Sequence, residues 1–161
     1  MVVKPELRPQ TVCFTGHRHI PENELPLIKE RLRSVVADLI ERGYRFFGAG
    51  GALGFDTLAA LTVLELRENY PQMKLILVLP CRDQTTNWKR EDISVYNDIL
   101  CKSDKVVYLS ERYYNGCMHE RNRYLVDNSS VCICYLCRNT GGTAYTVAYA
   151  RECGCDIVNI D

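Results

Sequence analysis

The chain has 161 residues, 47% hydrophobic and 25% charged, with 20 Lys and Arg against 20 Asp and Glu, a formal net charge of zero. That composition excludes intrinsic disorder and needs no disulfide to hold a core, and the longest apolar runs, Leu75–Leu79 and Val131–Cys137, fall far short of the roughly 18 residues of a membrane-spanning helix. The zero balance weighs against a nucleic-acid binder, which ordinarily carries a basic excess, and the opening MVVKPELRPQ lacks a signal-peptide core, so the expectation is one soluble, cytoplasmic domain spanning 1–161.

Apolar periodicity predicts alternating elements from end to end. Thr11–Phe14 reads as a short strand that stops at Thr15 and Gly16. Leu25, Ile28, Leu32, Val35, Val36, Leu39 and Ile40 then recur at helical spacing until Gly43, a C-terminal stop. Tyr44–Phe47 predicts a second strand, ending in the glycine-rich run 48–54. A helix over Phe55–Tyr70 is closed by Pro71, and Lys74–Leu79 is a buried strand ended by Pro80.

The polar stretch Cys81–Asn87 leads to a helix containing Trp88, Ile93, Val95, Tyr96, Ile99 and Leu100. Strand Lys105–Leu109, helix Met118–Asp127, strand Val131–Leu136, helix Gly141–Cys153 and strand Asp156–Ile160 complete the order. Six strands separated by helices, several of them apolar on both faces, imply an α/β fold. It is a single Rossmann-like, doubly wound three-layer sandwich with a mostly parallel sheet.

In such a sheet ligands bind beyond the carboxyl ends of the strands, where strand order reverses. Three loops there carry unusual chemistry: Thr15-Gly16-His17-Arg18-His19, Gly48-Ala49-Gly50-Gly51-Ala52-Leu53-Gly54, and Arg138-Asn139-Thr140-Gly141-Gly142-Thr143. Glycine lets an anion approach the main chain, and the helix that follows offers free N–H groups and the positive end of its dipole. The spacing is neither the dinucleotide fingerprint nor a P-loop, so neither NAD nor ordinary nucleoside triphosphate chemistry is indicated.

Other residues carry two readings each. Asp56 opens the second helix, where it caps N–H groups or meets a ribose hydroxyl. Arg121, Asn122 and Arg123 form either a solvated face or a cationic contribution to the same crevice, a guanidinium being suited to bidentate phosphate contact. Trp88, the one tryptophan, packs against its helix or stacks on a base. His17 is a general acid or base, or a turn-stabilising or anion-binding side chain. The nine cysteines read as reduced thiols, and Cys132, Cys134, Cys137, Cys153 and Cys155 have spacing suggestive of metal. Yet Cys132 and Cys134 share one face of an interior strand, where thiols act as small hydrophobes, so no metal site is expected.

With these loops assembled the chain resembles the SLOG superfamily, the Rossmann-like group joining Smf/DprA proteins to the LOG phosphoribohydrolases, and within it the YpsA-like branch. The carrying segments are Thr15–Arg18, Gly50–Asp56, the loop with Pro80, Gln84 and Trp88, Met118–Arg123 and Gly141–Ala144. The resemblance implies binding of a nucleotide-derived ligand of the AMP or ADP-ribose type, with a sensor role, no required cofactor and a homodimer. By resemblance Gly50, Gly51, Gly54, Gly141, Gly142 and Thr143 contact phosphate or ribose, and Arg18 and Arg121 are charge partners. Gly16, His17, Asp56, Gln84, Trp88 and Asn122 complete the candidate set. LOG hydrolases carry P-G-G-x-G-T-x-x-E, whose glutamate serves glycosidic cleavage. The corresponding stretch here, Asn139–Val147, holds no carboxylate, although Glu120 or Asp56 could substitute. The alternatives are therefore a nucleoside 5′-monophosphate phosphoribohydrolase and a DprA-like binder of single-stranded DNA.

Overall fold

The structure is a computed structural model that describes residues 5–161. Strands β1 (Thr11–Gly16), β2 (Phe46–Ala49), β3 (Lys74–Leu79), β4 (Lys105–Tyr108), β5 (Val131–Tyr135) and β6 (Asp156–Asn159) form one parallel sheet in the order β4-β3-β2-β1-β5-β6. The crossovers are α1 (Leu25–Glu41), α2 (Phe55–Arg67), α3 (Arg90–Lys102), α4 (Cys117–Asp127) and α5 (Gly142–Glu152). This is the expected Rossmann-like α/β fold. A short 3-10 helix, Pro5–Gln10, precedes the sheet and carries no periodic signal that would have announced it.

Strand alternation sorts the core into two layers. Val12 and Phe14 of β1, and Val131, Ile133 and Tyr135 of β5, pack with Ile28, Leu32 and Val36 of α1 and Phe55, Ala59 and Val63 of α2. Cys13 and Cys132 point to the other face and pack with Leu125 and Val126 of α4 and Ala150 of α5. Burial on both faces explains why these strands read as unbroken apolar runs. The thiols Cys13, Cys132 and Cys155 fill this second layer as small apolar groups.

The chain winds outward from β1 through β2 and β3 to β4, then returns across the sheet to lay β5 on the opposite side of β1. The helices change face at the same step. The carboxyl ends of β1 and β5 are therefore the switch point, where the loops of neighbouring strands part and leave a crevice.

Boundaries differ from the periodicity where backbone hydrogen bonds are spent elsewhere. Gly43, at φ +100°, stops α1, and the N–H of Tyr44 closes that helix on Leu39 O at 3.0 Å. The second strand consequently begins at Phe46 rather than Tyr44 and runs on to Ala49. The second helix ends at Arg67; Glu68 and Asn69 tighten into three-residue turns on Glu65 and Leu66, and the N–H of Tyr70 closes the end on Leu66 O at 2.9 Å. Trp88 does not belong to the third helix. Its N–H closes a turn on Thr85 O at 3.0 Å, extended Lys89 separates it from α3, and its ring packs edge-on against Tyr96 at 5.5 Å.

Candidate functional site

The site is built on the end of β1, which runs past Thr15 to Gly16 and hands the chain to His17. A Cβ at Gly16 would run into the Phe55 ring, so glycine is needed there for packing. Phe55 is wholly buried, stacked on Tyr135 at 6.1 Å and edge-on to Phe14 at 6.4 Å. Burying such a ring contributes about 1.5–3 kcal/mol and fixes the floor beneath the loops.

His17 is buried and ties three loops together. Its carbonyl accepts the N–H of Phe55 at 3.2 Å, its Nε2 accepts the N–H of Cys137 at 3.1 Å, and its ring lies edge-on to Tyr135. Burial lowers its pKa below the ordinary 6.5, and the positive charge of Arg138 lowers it further against an opposing pull from Asp161. The ring is thus a neutral acceptor at neutral pH, its proton on Nδ1. Of the readings open to this residue, turn stabilisation is the one its contacts perform.

Arg121, in the second turn of α4, is buried beneath the crevice. Its guanidinium donates to the carbonyl of Gly50, its Nε donates to Asn122 Oδ1 at 2.7 Å, and a third contact reaches the Met118 sulfur at 3.8 Å. Asp56, in the first turn of α2, is buried too, and its Oδ2 accepts the N–H of Ala52 at 3.3 Å. It therefore latches the preceding loop and does not cap its own helix. Gly50 lies between the two charges, where any side chain would overlap the guanidinium and approach Asp56 Oδ2. Burial raises the pKa of Asp56 and lowers that of Arg121, and each charge partly offsets the penalty on the other.

Above this pair lies a crevice of 390 Å³, a size in the range of small-molecule sites. The β1 loop contributes Thr15, Gly16, His17, Arg18 and His19, and the β2–α2 loop and helix contribute Ala52 and Asp56. Helix α4 adds Met118, His119, Arg121 and Asn122, the β5–α5 loop adds Arg138, and the start of α5 adds Gly142 and Thr143. Three guanidinium groups and all three histidines of the chain meet one carboxylate there. A second cavity, of 190 Å³, opens near the other end of the strands among Ile76, Val78, Val107 and Leu125. Among its described lining residues Lys105 is the one charged group, beside the polar Thr11, Tyr124, Asn128 and Ser129.

Of the candidate residues, Gly16, His17, Arg18, Asp56, Arg121, Asn122, Gly142 and Thr143 come together in this crevice, with Gly141 as the N-cap of α5. The glycine loop after β2 behaves otherwise. Gly50 is buried under Arg121. Gly51, at φ +73°, faces Leu79 and Gln84, and Gly54, at φ +79°, lies against the backbone of Arg18. The first N–H of α2 is already taken by His17, so α5 supplies the helix start that lines the crevice. Gln84 and Trp88 gather around Tyr96, away from the crevice lining. The Gln84 amide donates to the Tyr96 hydroxyl at 3.2 Å, and its buried Oε1 has no hydrogen-bond partner among the described residues.

Sequence reasoning passed over His19, His119 and Arg138. His119 and Arg138 sit in segments already singled out, one in the first turn of α4 and the other at the head of the second glycine loop; what was missing was their convergence, which only strand order supplies. Arg123 points away, donating to the Tyr145 hydroxyl on the α4–α5 surface. Among the described residues no three His, Cys, Asp or Glu side chains are arranged to hold a metal ion, and no helix is long and apolar enough to cross a membrane.

Residues 12–154 match the family model described as the YspA SLOG family. The chain is 30% identical over 140 residues to a UPF0398 protein of Halalkalibacterium halodurans, an alignment covering 85% of this chain and 72% of that one. To the UPF0398 protein YpsA of Bacillus subtilis it is 24% identical over 134 residues, covering 81% and 74%. Among solved structures it is similar to DNA processing protein A of Helicobacter pylori, with a TM-score of 0.67 and 20% identity over 97% of this chain and 68% of that chain. DprA of Streptococcus pneumoniae gives a TM-score of 0.67 and 18% identity over 94% and 50%. The Helicobacter protein is described by its single-stranded DNA binding mode. At these identities the likeness carries the fold alone.

Proposed function

This chain belongs to the YspA SLOG family, and from that premise we propose that it binds a phosphorylated nucleoside of the AMP or ADP-ribose kind in the crevice, as a sensor of that ligand. The observation that carries the proposal is the meeting of Arg18, Arg121 and Arg138 with the N-terminus of α5 at the β1 and β5 strand ends. Free N–H groups and the helix dipole favour a phosphate there, and exposed Arg18 and Arg138 are free to close on it. Gly142 has open space around it, which suits close approach of an anion to the main chain. Asp56 supplies an acceptor suited to a ribose hydroxyl. Mass spectrometry of small molecules released from the purified, denatured protein tests the reading. A nucleotide-derived compound at near-stoichiometric yield is expected, and a released ligand lacking both phosphate and nucleoside would contradict it.

A second reading, N-glycosidic cleavage of a nucleoside 5′-monophosphate, is supported by Asp56. Asp56 is the carboxyl at the crevice that glycosidic cleavage needs and that the Asn139–Val147 stretch lacks; Arg121 favours its ionised form against the burial that raises its pKa. Single-turnover incubation with nucleoside monophosphates tests it, and absence of free base would end it. Single-stranded DNA binding, motivated by the fold it shares with the Helicobacter protein, is tested by fluorescence anisotropy with labelled strands at low salt. Salt-sensitive binding at micromolar protein would favour it over the small-molecule reading.

A further inference from the structure

We propose, resting on the nucleotide-binding reading above, that His17 is a positioning residue of the crevice: its neutral ring holds the β5–α5 loop so that α5 presents its N-terminus to phosphate, and protonation releases that loop. Cys137 follows β5 by two residues, and its N–H is received by His17 Nε2 at 3.1 Å across 120 residues of sequence. One position earlier, Leu136 is held from the other side by Asn159, whose Oδ1 accepts its N–H at 3.1 Å and whose Nδ2 donates to its carbonyl at 2.9 Å. Beyond these anchors the chain is exposed from Arg138 to Gly142, where α5 begins. The direction in which α5 starts is thus set at Leu136 and Cys137, between β6 on one side and the β1 loop on the other.

A neutral imidazole offers one accepting nitrogen, whereas the imidazolium donates from both. Protonating His17 turns the Cys137 contact from donor–acceptor into donor–donor and removes the acceptor on which this side of the loop is fastened. The groups around the ring set when that happens. Tyr135 from β5 lies edge-on to it, the backbone of His17 is held by the N–H of Phe55 from α2, Arg138 of the clamped loop opposes a positive ring, and Asp161 beyond β6 favours one. Burial and Arg138 prevail and lower its pKa, so the clamp is closed at neutral pH and opens only below the ordinary histidine value of 6.5. The repulsion between a charged His17 and Arg138 then drives a crevice arginine outward together with its loop.

The test is amide hydrogen exchange by NMR at Cys137 in the 15N-labelled full chain, for wild type, His17→Ala and His17→Gln, with AMP titrated in parallel. In wild type the Cys137 amide is expected to be protected at neutral pH and, after correction for intrinsic rates, to exchange about tenfold faster once His17 titrates. His17→Gln keeps a side-chain oxygen to accept this N–H and should protect it without pH dependence, while His17→Ala should leave it unprotected throughout. AMP affinity should follow the protection. Equal protection in His17→Ala, the wild-type pH dependence persisting in His17→Gln, or AMP affinity indifferent to the clamp would overturn the proposal. If His17→Ala does not fold, the comparison of wild type with His17→Gln decides. Wild type that binds no AMP defeats the nucleotide reading, whereas the exchange data still decide whether His17 clamps the loop.

Discussion

Arg121 donates to the carbonyl of Gly50, 71 residues away in sequence, and so fastens the start of α4 to the loop after β2 beneath the crevice. The guanidinium is an anchored part of the floor, with the buried carboxylate of Asp56 as its nearby counter-charge. Arg121→Ala should therefore lower folding stability by about 3–5 kcal/mol, because it strands a buried charge and a backbone acceptor together. Arg121→Lys should lose less, keeping the charge without the fork. Urea denaturation measures both, and an unchanged midpoint in Arg121→Ala would show that the pair is not structural.

Two glycines at the crevice serve opposite ends. A Cβ at Gly16 meets the Phe55 ring, whereas a Cβ at Gly142 meets nothing within 4 Å. Gly16→Ala should cost about 1–3 kcal/mol by overpacking. Gly142→Ala should leave folding intact or raise stability by about 0.4–1 kcal/mol, while weakening AMP binding by crowding the α5 N-terminus. Paired denaturation and binding curves check this, and a Gly142→Ala chain that binds AMP as well as wild type would remove the helix start from the phosphate site.

The thiols divide by burial. Cys101 and Cys137 are exposed, Cys153 is half-buried, and the other six are enclosed. Burial also raises the thiols of Cys134 and Cys155 to about 11 and that of Cys81 to about 12. A disulfide reagent at neutral pH should react quickly with the two exposed thiols, slowly with Cys153, and with the rest only in denaturant. Rapid reaction at Cys132 or Cys134 in the folded protein would contradict a closed α4–α5 layer.

His17 also makes a stability prediction whose sign follows from its lowered pKa. A group held below its unfolded value contributes stability that is complete above 6.5 and lost as pH falls through the folded value. Wild type should lose stability in that interval relative to His17→Gln, which does not titrate there. Parallel curves for the two chains across the interval would refute the assignment of a neutral, buried ring.

Much of the fold was legible because each β1 and β5 residue obeys a simple rule: Val12 and Phe14 go one way and Cys13 the other, and both sides are apolar. Gly43 and Gly54 marked a helix end and a helix start by their need for positive φ. What escaped was long-range. Nothing local in Tyr44 says that its N–H will be spent on Leu39, and nothing local in Trp88 separates it from the helix beginning at Arg90. The candidate site was legible as loops and illegible as geometry. Gly50 and Gly51 read as a phosphate cradle, but Arg121 and Gln84 already occupy the space beside them. His119 and Arg138, ordinary in sequence, converge only because β5 returns to lie beside β1.

The proposed phosphate recognition rests on the two exposed arginines of the crevice, Arg18 and Arg138, whose side chains lie outside the buried floor. The direct measurement is isothermal titration of AMP and ADP-ribose into wild type, Arg18→Ala and Arg138→Ala. Saturable binding by wild type, weakened at least tenfold in each variant with unchanged melting temperature of the unliganded protein, is the predicted result, a loss of about 1.4 kcal/mol per charge-assisted contact. No binding of either compound to wild type, or equal binding in both variants, would contradict it.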